Sequence, residues 1–295
     1  MDDEATAVAE DAPDAQQDAP QDAPDAQQQT APEAAPQTSA GKRKTPVDDD
    51  EAPEVIARCL GAGGEFDLGD RARKRKRFSA VDLQSERAEA DDGVERVLCG
   101  YELASGVLLC SSGSVVGFRG GAVVNAANEG CQGGGGVDGA ITAAGGDALA
   151  DARAALPAID ADGFRRCATG DAVVTAGGDL AADHCIHAVG PNYGWLERGD
   201  GEDEEATLAR GDALLAGAYA ASMARAAEVG ATTVAFSLLS AGIFRGARSL
   251  AAVLAIAVAA VARGAYPGLE RVHLVAFTPR EQKTLAQAAQ RHFLS

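Results

Sequence analysis

Nowhere in the 295 residues is there an apolar run near the roughly 20 that cross a bilayer; the richest stretch, Leu250 to Val261, is alanine-heavy and too short. The opening residues, Met1-Asp2-Asp3-Glu4, lack the basic and apolar parts of a signal peptide. The expectation is therefore an intracellular protein, cytoplasmic or nuclear, with no membrane partner. Six cysteines, at 59, 99, 110, 131, 167 and 185, include no C-x-x-C pair. Reduced thiols of a cytosolic or nuclear protein account for them. A zinc site is the competing reading, because Cys167, Cys185, His184 and His187 lie within one supersecondary unit, but paired ligand spacing is missing and no metal is expected. Positive charge is also short. The 26 Lys and Arg against 44 Asp and Glu leave a net charge of -18, which argues against nucleic acid or an anionic membrane as a general partner. An anionic ligand has to be held by something other than bulk charge.

What is present is enough for one sizeable core: 46% of the side chains are apolar, which excludes a peptide hormone, a disulfide miniprotein or a fibrous repeat. The charge divides the chain. Residues 1 to 41 carry ten acids and no base, with DAPDAQQ at 11–17 and again at 22–28. Ala, Pro, Gln and Asp offer no apolar face to bury, so this segment reads as disordered rather than as a solenoid unit. Two basic clusters follow, Lys42 to Lys44 and Arg71 to Arg77. The second reads equally as a signal for a nuclear import receptor, with nucleic acid contact as a variant, or as a solvated linker.

From about Val94 apolar runs alternate with glycine. Val107–Leu109, Ala122–Val124, Ala172–Val174, His184–Val189, Thr233–Leu239 and Val272–Phe277 read as strands. Val137–Ala144, Asp147–Leu156, Leu208–Glu228, Leu250–Arg263 and Pro279–Phe293 read as helices. Several strands are apolar without alternation, as in a sheet covered on both faces. The expected class is α/β, three layers α/β/α with a mixed, largely parallel central sheet, and ligands then sit beyond the carboxyl ends of the strands.

After Ala122-Val123-Val124 comes Asn125-Ala126-Ala127-Asn128, and then four glycines, Gly133 to Gly136, entering a helix at Val137-Asp138. Glycines let the main chain approach a ligand, and their N–H groups with the positive end of the helix form a cradle for phosphate oxygens. The pattern is neither G-x-G-x-x-G nor a P-loop, which needs a Lys. Asp138 falls in the first helical turn, where the dipole favours the carboxylate form.

V-V-N-A-A-N followed by G-G-G-G-V-D-G-A-I resembles the macrodomain family, specifically its MacroD-type class. Cys167 to Ala172 with Ile186 to Pro191 looks like the family's central segment, and Ala235 to Phe244 like its second phosphate loop. The resemblance extends over roughly residues 94 to 293, so the chain divides into the tail over 1–90 that its composition indicates and a macrodomain over 91–295, and no cofactor is implied. It implies ADP-ribose, O-acetyl-ADP-ribose or mono-ADP-ribosylated proteins as partners, and hydrolysis of ADP-ribosyl esters, with a non-catalytic ADP-ribose reader as the alternative. On the matching positions, Asn128 and Asp138 are the catalytic pair, holding the distal ribose and its attacking water. Asn125 begins the motif. Gly134, Gly135, Gly136 and Val137 would clamp the diphosphate from one side, and Ser240, Ala241, Gly242, Ile243 and Phe244 from the other, with Phe244 also against the distal ribose. One position departs. The family's adenine-binding Gly-Asp-Ile falls on Gly113-Ser114-Val115, eleven residues separating Ser114 from Asn125. Serine there implies a weaker adenine contact, by about tenfold, and Phe277 offers a ring face as a substitute. The acidic run Glu197 to Glu205 reads as a solvated loop, and Trp195 as packed in a core or loop before it reads as a substrate edge.

Overall fold

The computed structural model describes Arg77–Phe78 and residues 92–294. The acidic repeats, the first basic cluster and positions 71–76 of the second lie outside the described residues, as does most of the tail expected over 1–90. Eight strands are described: β1 Arg77–Phe78, β2 Arg96–Glu102, β3 Val107–Ser112, β4 Gly120–Ala126, β5 Ala172–Ala176, β6 Ala182–Ala188, β7 Thr233–Ser237 and β8 Arg271–Ala276. Four α-helices join them: α1 Gly136–Ala154, α2 Glu204–Glu228, α3 Leu250–Arg263 and α4 Pro279–Leu294.

The strands form one sheet in the order β1-β2-β3-β8-β7-β4-β6-β5. The five central strands, β3 to β6 in that order, run parallel. The edges are antiparallel: β1 and β2 on one side, β5 on the other. β2 escapes a reading by apolar runs because charged Arg96 and Glu102 bound it and Gly100 interrupts it. Its pairing with β3, Cys99 opposite Cys110, comes from the tight turn in which Leu103 N–H donates to the Gly106 carbonyl at 3.0 Å.

Successive residues of a strand face opposite sides, and the core follows. Val124, Ile186, Phe236 and Leu274 pack with Leu215 and Tyr219 of α2, Val253 and Ile256 of α3, and Leu285 of α4. Their neighbours Val123, Cys185, Ala235 and Val275 pack on the other side with Ile141 and Leu149 of α1. That is the three-layer α/β/α architecture. α3 is buried at every position from Leu250 to Val261, which explains its lack of a polar face. Ser249 caps it, its hydroxyl accepting from Ala252 N–H at 3.1 Å. Among the described residues no helix is long and apolar enough to cross a membrane.

α1 breaks where the sequence places a gap between two helices. Gly146 has φ 62° and ψ −164°, and a Cβ there would stand 2.2 Å from the Asp179 carboxylate, so only glycine fits. The acidic run is only partly a loop: Asp203 caps α2, and Glu204 and Glu205 form its first turn, where the dipole favours them.

Candidate functional site

The loops that follow β3, β7 and β8, together with the first turns of α1, enclose a cavity of about 420 Å³. Ser114, Val115, Gly136, Val137, Gly242 and Phe277 all line it. These residues come from distant stretches of sequence, and they meet because parallel strands end at the same edge of the sheet. The N-cap of α1 is Gly135, and no side chain caps the helix start, where the first amides have no partner within the helix. A Cβ at Gly135 or Gly136 would meet nothing within 4 Å.

Under that helix start lies a buried polar chain. Asp138, 3% exposed, accepts through Oδ1 from Asn125 Nδ2 and from Arg153 Nη2, both at 2.8 Å. Its Oδ2 is buried with no hydrogen-bond partner. A Cβ on Gly134 would sit 2.9 Å from that oxygen and 3.3 Å from Asn128 Nδ2. The carboxylate is therefore fixed by a buried ion pair as well as by the helix dipole, and it keeps one oxygen in reserve beneath the glycine loop. Asn128 is half-buried and braces the same loop: Nδ2 donates to the Gly133 carbonyl at 2.9 Å, and Oδ1 accepts from Gly130 N–H at 3.1 Å. Arg153, 1% exposed, ties both ends together. Its Nε donates to the Cys131 carbonyl, its Nη1 to Thr142 Oγ1 at 2.7 Å, and its own carbonyl accepts from Gln132 Nε2 at 2.7 Å.

The chain continues inward. Asn125 Nδ2 lies 3.3 Å from His187 Nδ1, and His187 Nε2 lies 3.0 Å from Thr175 Oγ1. An amide nitrogen only donates, so Nδ1 accepts and His187 is the neutral Nε2–H tautomer, donating to Thr175. Burial, with the Arg153 charge nearby, lowers its pKa from 6.5 to about 3. The unfolded chain then takes up the proton first as pH falls from 6.5 to about 3, so folding stability drops across that window. The slope from this group is at most about 1.4 kcal/mol per pH unit. Melting curves between pH 3 and 7 should show a shallower decline for His187→Gln than for the parent; equal slopes would contradict this.

The candidate zinc set disperses. Cys167 sits beside Cys131 in a small apolar cluster under the glycine loop. Cys185 Sγ lies 3.9 Å from His187 Nδ1, and burial pushes its thiol up to about 12. His184 faces the Gly121 carbonyl at 3.3 Å. Among the described residues no group of three or more His, Cys, Asp or Glu is arranged to hold a metal ion.

The second loop is held from below. Ser240 has φ 52°, uncommon for a side-chain-bearing residue, and its hydroxyl donates to the Pro191 carbonyl at 2.7 Å. Ser240 and Ala241 are buried, Gly242 opens on the cavity, and Ile243 projects from the rim. The Phe244 carbonyl accepts from Tyr193 N–H at 2.8 Å. Arg248 clamps the loop's far end to α2 through both oxygens of Asp212, which also accepts from the Tyr193 hydroxyl. Trp195 is not packed in a core: it is 80% exposed, its ring centroid 6.5 Å from that of Phe244. Ser114 spends its hydroxyl oxygen on Val116 N–H at 3.3 Å, capping the turn Val115–Gly117, and Phe277 leaves its ring 73% exposed at the end of β8.

Arg153, His187 in this role, Asp212 with Arg248, and Glu281 are the site residues that sequence reasoning missed. A buried arginine in an alanine-rich helix end carries no local signal. Thr278-Pro279-Arg280-Glu281 does carry one, the capping-box pattern T-x-x-E.

A glycine loop and a second loop meet at the carboxyl edge of a three-layer α/β/α sheet, around one cavity. The family model of the Macro domain matches residues 124–255. A Macro domain-containing protein in the gbd 3' region of Cupriavidus necator is 46% identical over 156 residues, 53% of this chain and 82% of that protein. The O-acetyl-ADP-ribose deacetylase of Escherichia coli K12 is 40% identical over 157 residues, 52% of this chain and 79% of that protein. Among solved structures, the Oceanobacillus iheyensis macrodomain with ADP superposes with a TM-score of 0.56 at 24% identity, covering 65% of this chain and 95% of that one. The chain belongs to the Macro domain family.

Proposed function

We propose that the domain binds ADP-ribose and hydrolyses ADP-ribosyl esters, either O-acetyl-ADP-ribose or mono-ADP-ribose on acidic protein side chains. One observation carries the reading: a buried carboxylate oxygen, Asp138 Oδ2, left without a partner directly under the glycine loop. A buried lone acceptor is costly unless something fills its need, and a ribose hydroxyl or a water lying on Gly134 would do so. The deacetylase activity named for the E. coli relative supports the same chemistry. The diphosphate would lie between the first amides of α1 and the Gly242 loop, held by N–H groups in place of cationic side chains.

In the reaction a water adds to the ester carbonyl carbon, the bond to the ribose oxygen breaks, and that oxygen takes up the proton the water gives away. Asp138 Oδ2 orients the water or the adjacent hydroxyl, while Arg153 and Asn125 keep the other oxygen from rotating. Asn128 fixes the loop that brings them together. The reader alternative rests on a different observation, that both ends of the Asn128 amide are spent on its own loop.

The test is incubation of the full chain with O-acetyl-ADP-ribose and, separately, with a protein mono-ADP-ribosylated on glutamate. Asp138→Ala is expected to lose turnover at least 100-fold, and Asn128→Ala at least tenfold, on the scale of single positioned groups, roughly 10²–10⁴. ADP-ribose binding by calorimetry without turnover by the parent would decide for the reader.

A further inference from the structure

We propose that Glu281 selects the base of the bound nucleotide by accepting a hydrogen bond from the exocyclic amino group of adenine. The proposal rests on the ADP-ribose reading above and assigns a specificity residue within it. Glu281 caps α4: its Oε2 accepts from Thr278 N–H at 2.8 Å and Phe277 N–H at 3.1 Å, while its own N–H donates to Thr278 Oγ1 at 3.2 Å. The cap consumes one carboxylate oxygen and fixes the side chain's direction. The same residue lines the cavity, and among the described lining residues it is the one ionisable side chain.

Beside it stands the exposed ring of Phe277, itself part of the cavity wall. An open aromatic face next to a held acceptor suits a flat heterocycle that stacks on the ring and presents a donor at its edge. Adenine has an amino group there. Hypoxanthine has a carbonyl oxygen at the same position, which a carboxylate repels. Ser114, at the end of the neighbouring parallel strand β3, carries a hydroxyl that can donate as well as accept, so it does not tell an amino group from a carbonyl oxygen. Discrimination between the two bases therefore falls to Glu281, whose carboxylate only accepts.

The test compares ADP, IDP and ADP-ribose by calorimetry on the full chain. The parent is expected to bind ADP at least about tenfold more tightly than IDP, the size of one charge-assisted hydrogen bond. Glu281→Gln keeps a carbonyl oxygen for the cap and can turn an –NH₂ toward the base, so its preference should vanish or reverse toward IDP. If Glu281→Gln does not fold, Glu281→Asp carries the test, its shorter arm bringing the ADP to IDP ratio toward one. A parental ratio in the variant that folds overturns the assignment while leaving the ADP-ribose reading intact. A parent that binds neither ADP nor ADP-ribose overturns both.

Discussion

Arg153→Met is expected to lower folding stability by about 3–5 kcal/mol, the cost of stranding one partner of a buried ion pair. Turnover should fall at least 100-fold in the fraction that remains folded. The stability loss comes from Asp138, whose Oδ1 loses its guanidinium at 2.8 Å while it stays 97% out of water. The activity loss comes from the loop, because the same guanidinium holds the Cys131 carbonyl and Thr142. Urea unfolding of Arg153→Met, Asp138→Leu and the double variant separates the two. Removing both charges leaves neither unpaired, so the double variant should be more stable than the sum of the single losses implies, by more than about 1 kcal/mol. Additive losses, or a single variant as stable as the parent, would show that the pair is not coupled.

Gly134→Ala is the second large effect, and it acts on the chemistry directly. A methyl at that position would stand 2.9 Å from Asp138 Oδ2 and 3.3 Å from Asn128 Nδ2, filling the place a hydroxyl or water has to occupy. Turnover should drop about 100-fold or more, as expected when a reacting group is displaced by about 1 Å, and the melting transition should fall as well, because a carboxylate held by Arg153 and Asn125 has to give way. Activity of Gly134→Ala within a fewfold of the parent would remove Asp138 Oδ2 from the mechanism.

Much of this fold is legible in the amino-acid sequence. The strands of the parallel centre are short apolar runs, and apolarity without alternation is what a doubly covered sheet demands. The break at Gly146 fell where the helical pattern paused. The glycine loop and Asp138 announced themselves because a turn that exposes main chain needs residues with almost no side chain. The rest was illegible for a physical reason: it depends on partners brought together by the fold. Arg153 is one arginine in a run of alanines until the chain folds it under Asp138. Glu281 reads as a helix cap, which it is, and nothing local says that it also lines a cavity. β2 was hidden because an edge strand tolerates charge at its ends, so its apolar signal is thin. Trp195 was misplaced because a large ring is usually buried, and at a rim that preference gives way.

The corner in α1 gives the site an unexpected dependence. Asp138 stands before the bend at Gly146 and Arg153 after it, so the guanidinium joins the two limbs like the third side of a triangle. The bend is fastened from outside as well, where Asp179 N–H meets the Gly145 carbonyl at 2.9 Å. The angle at the corner and the position of the carboxylate are thus linked, and a change at the β5–β6 turn is expected to reach Asp138 through the bend.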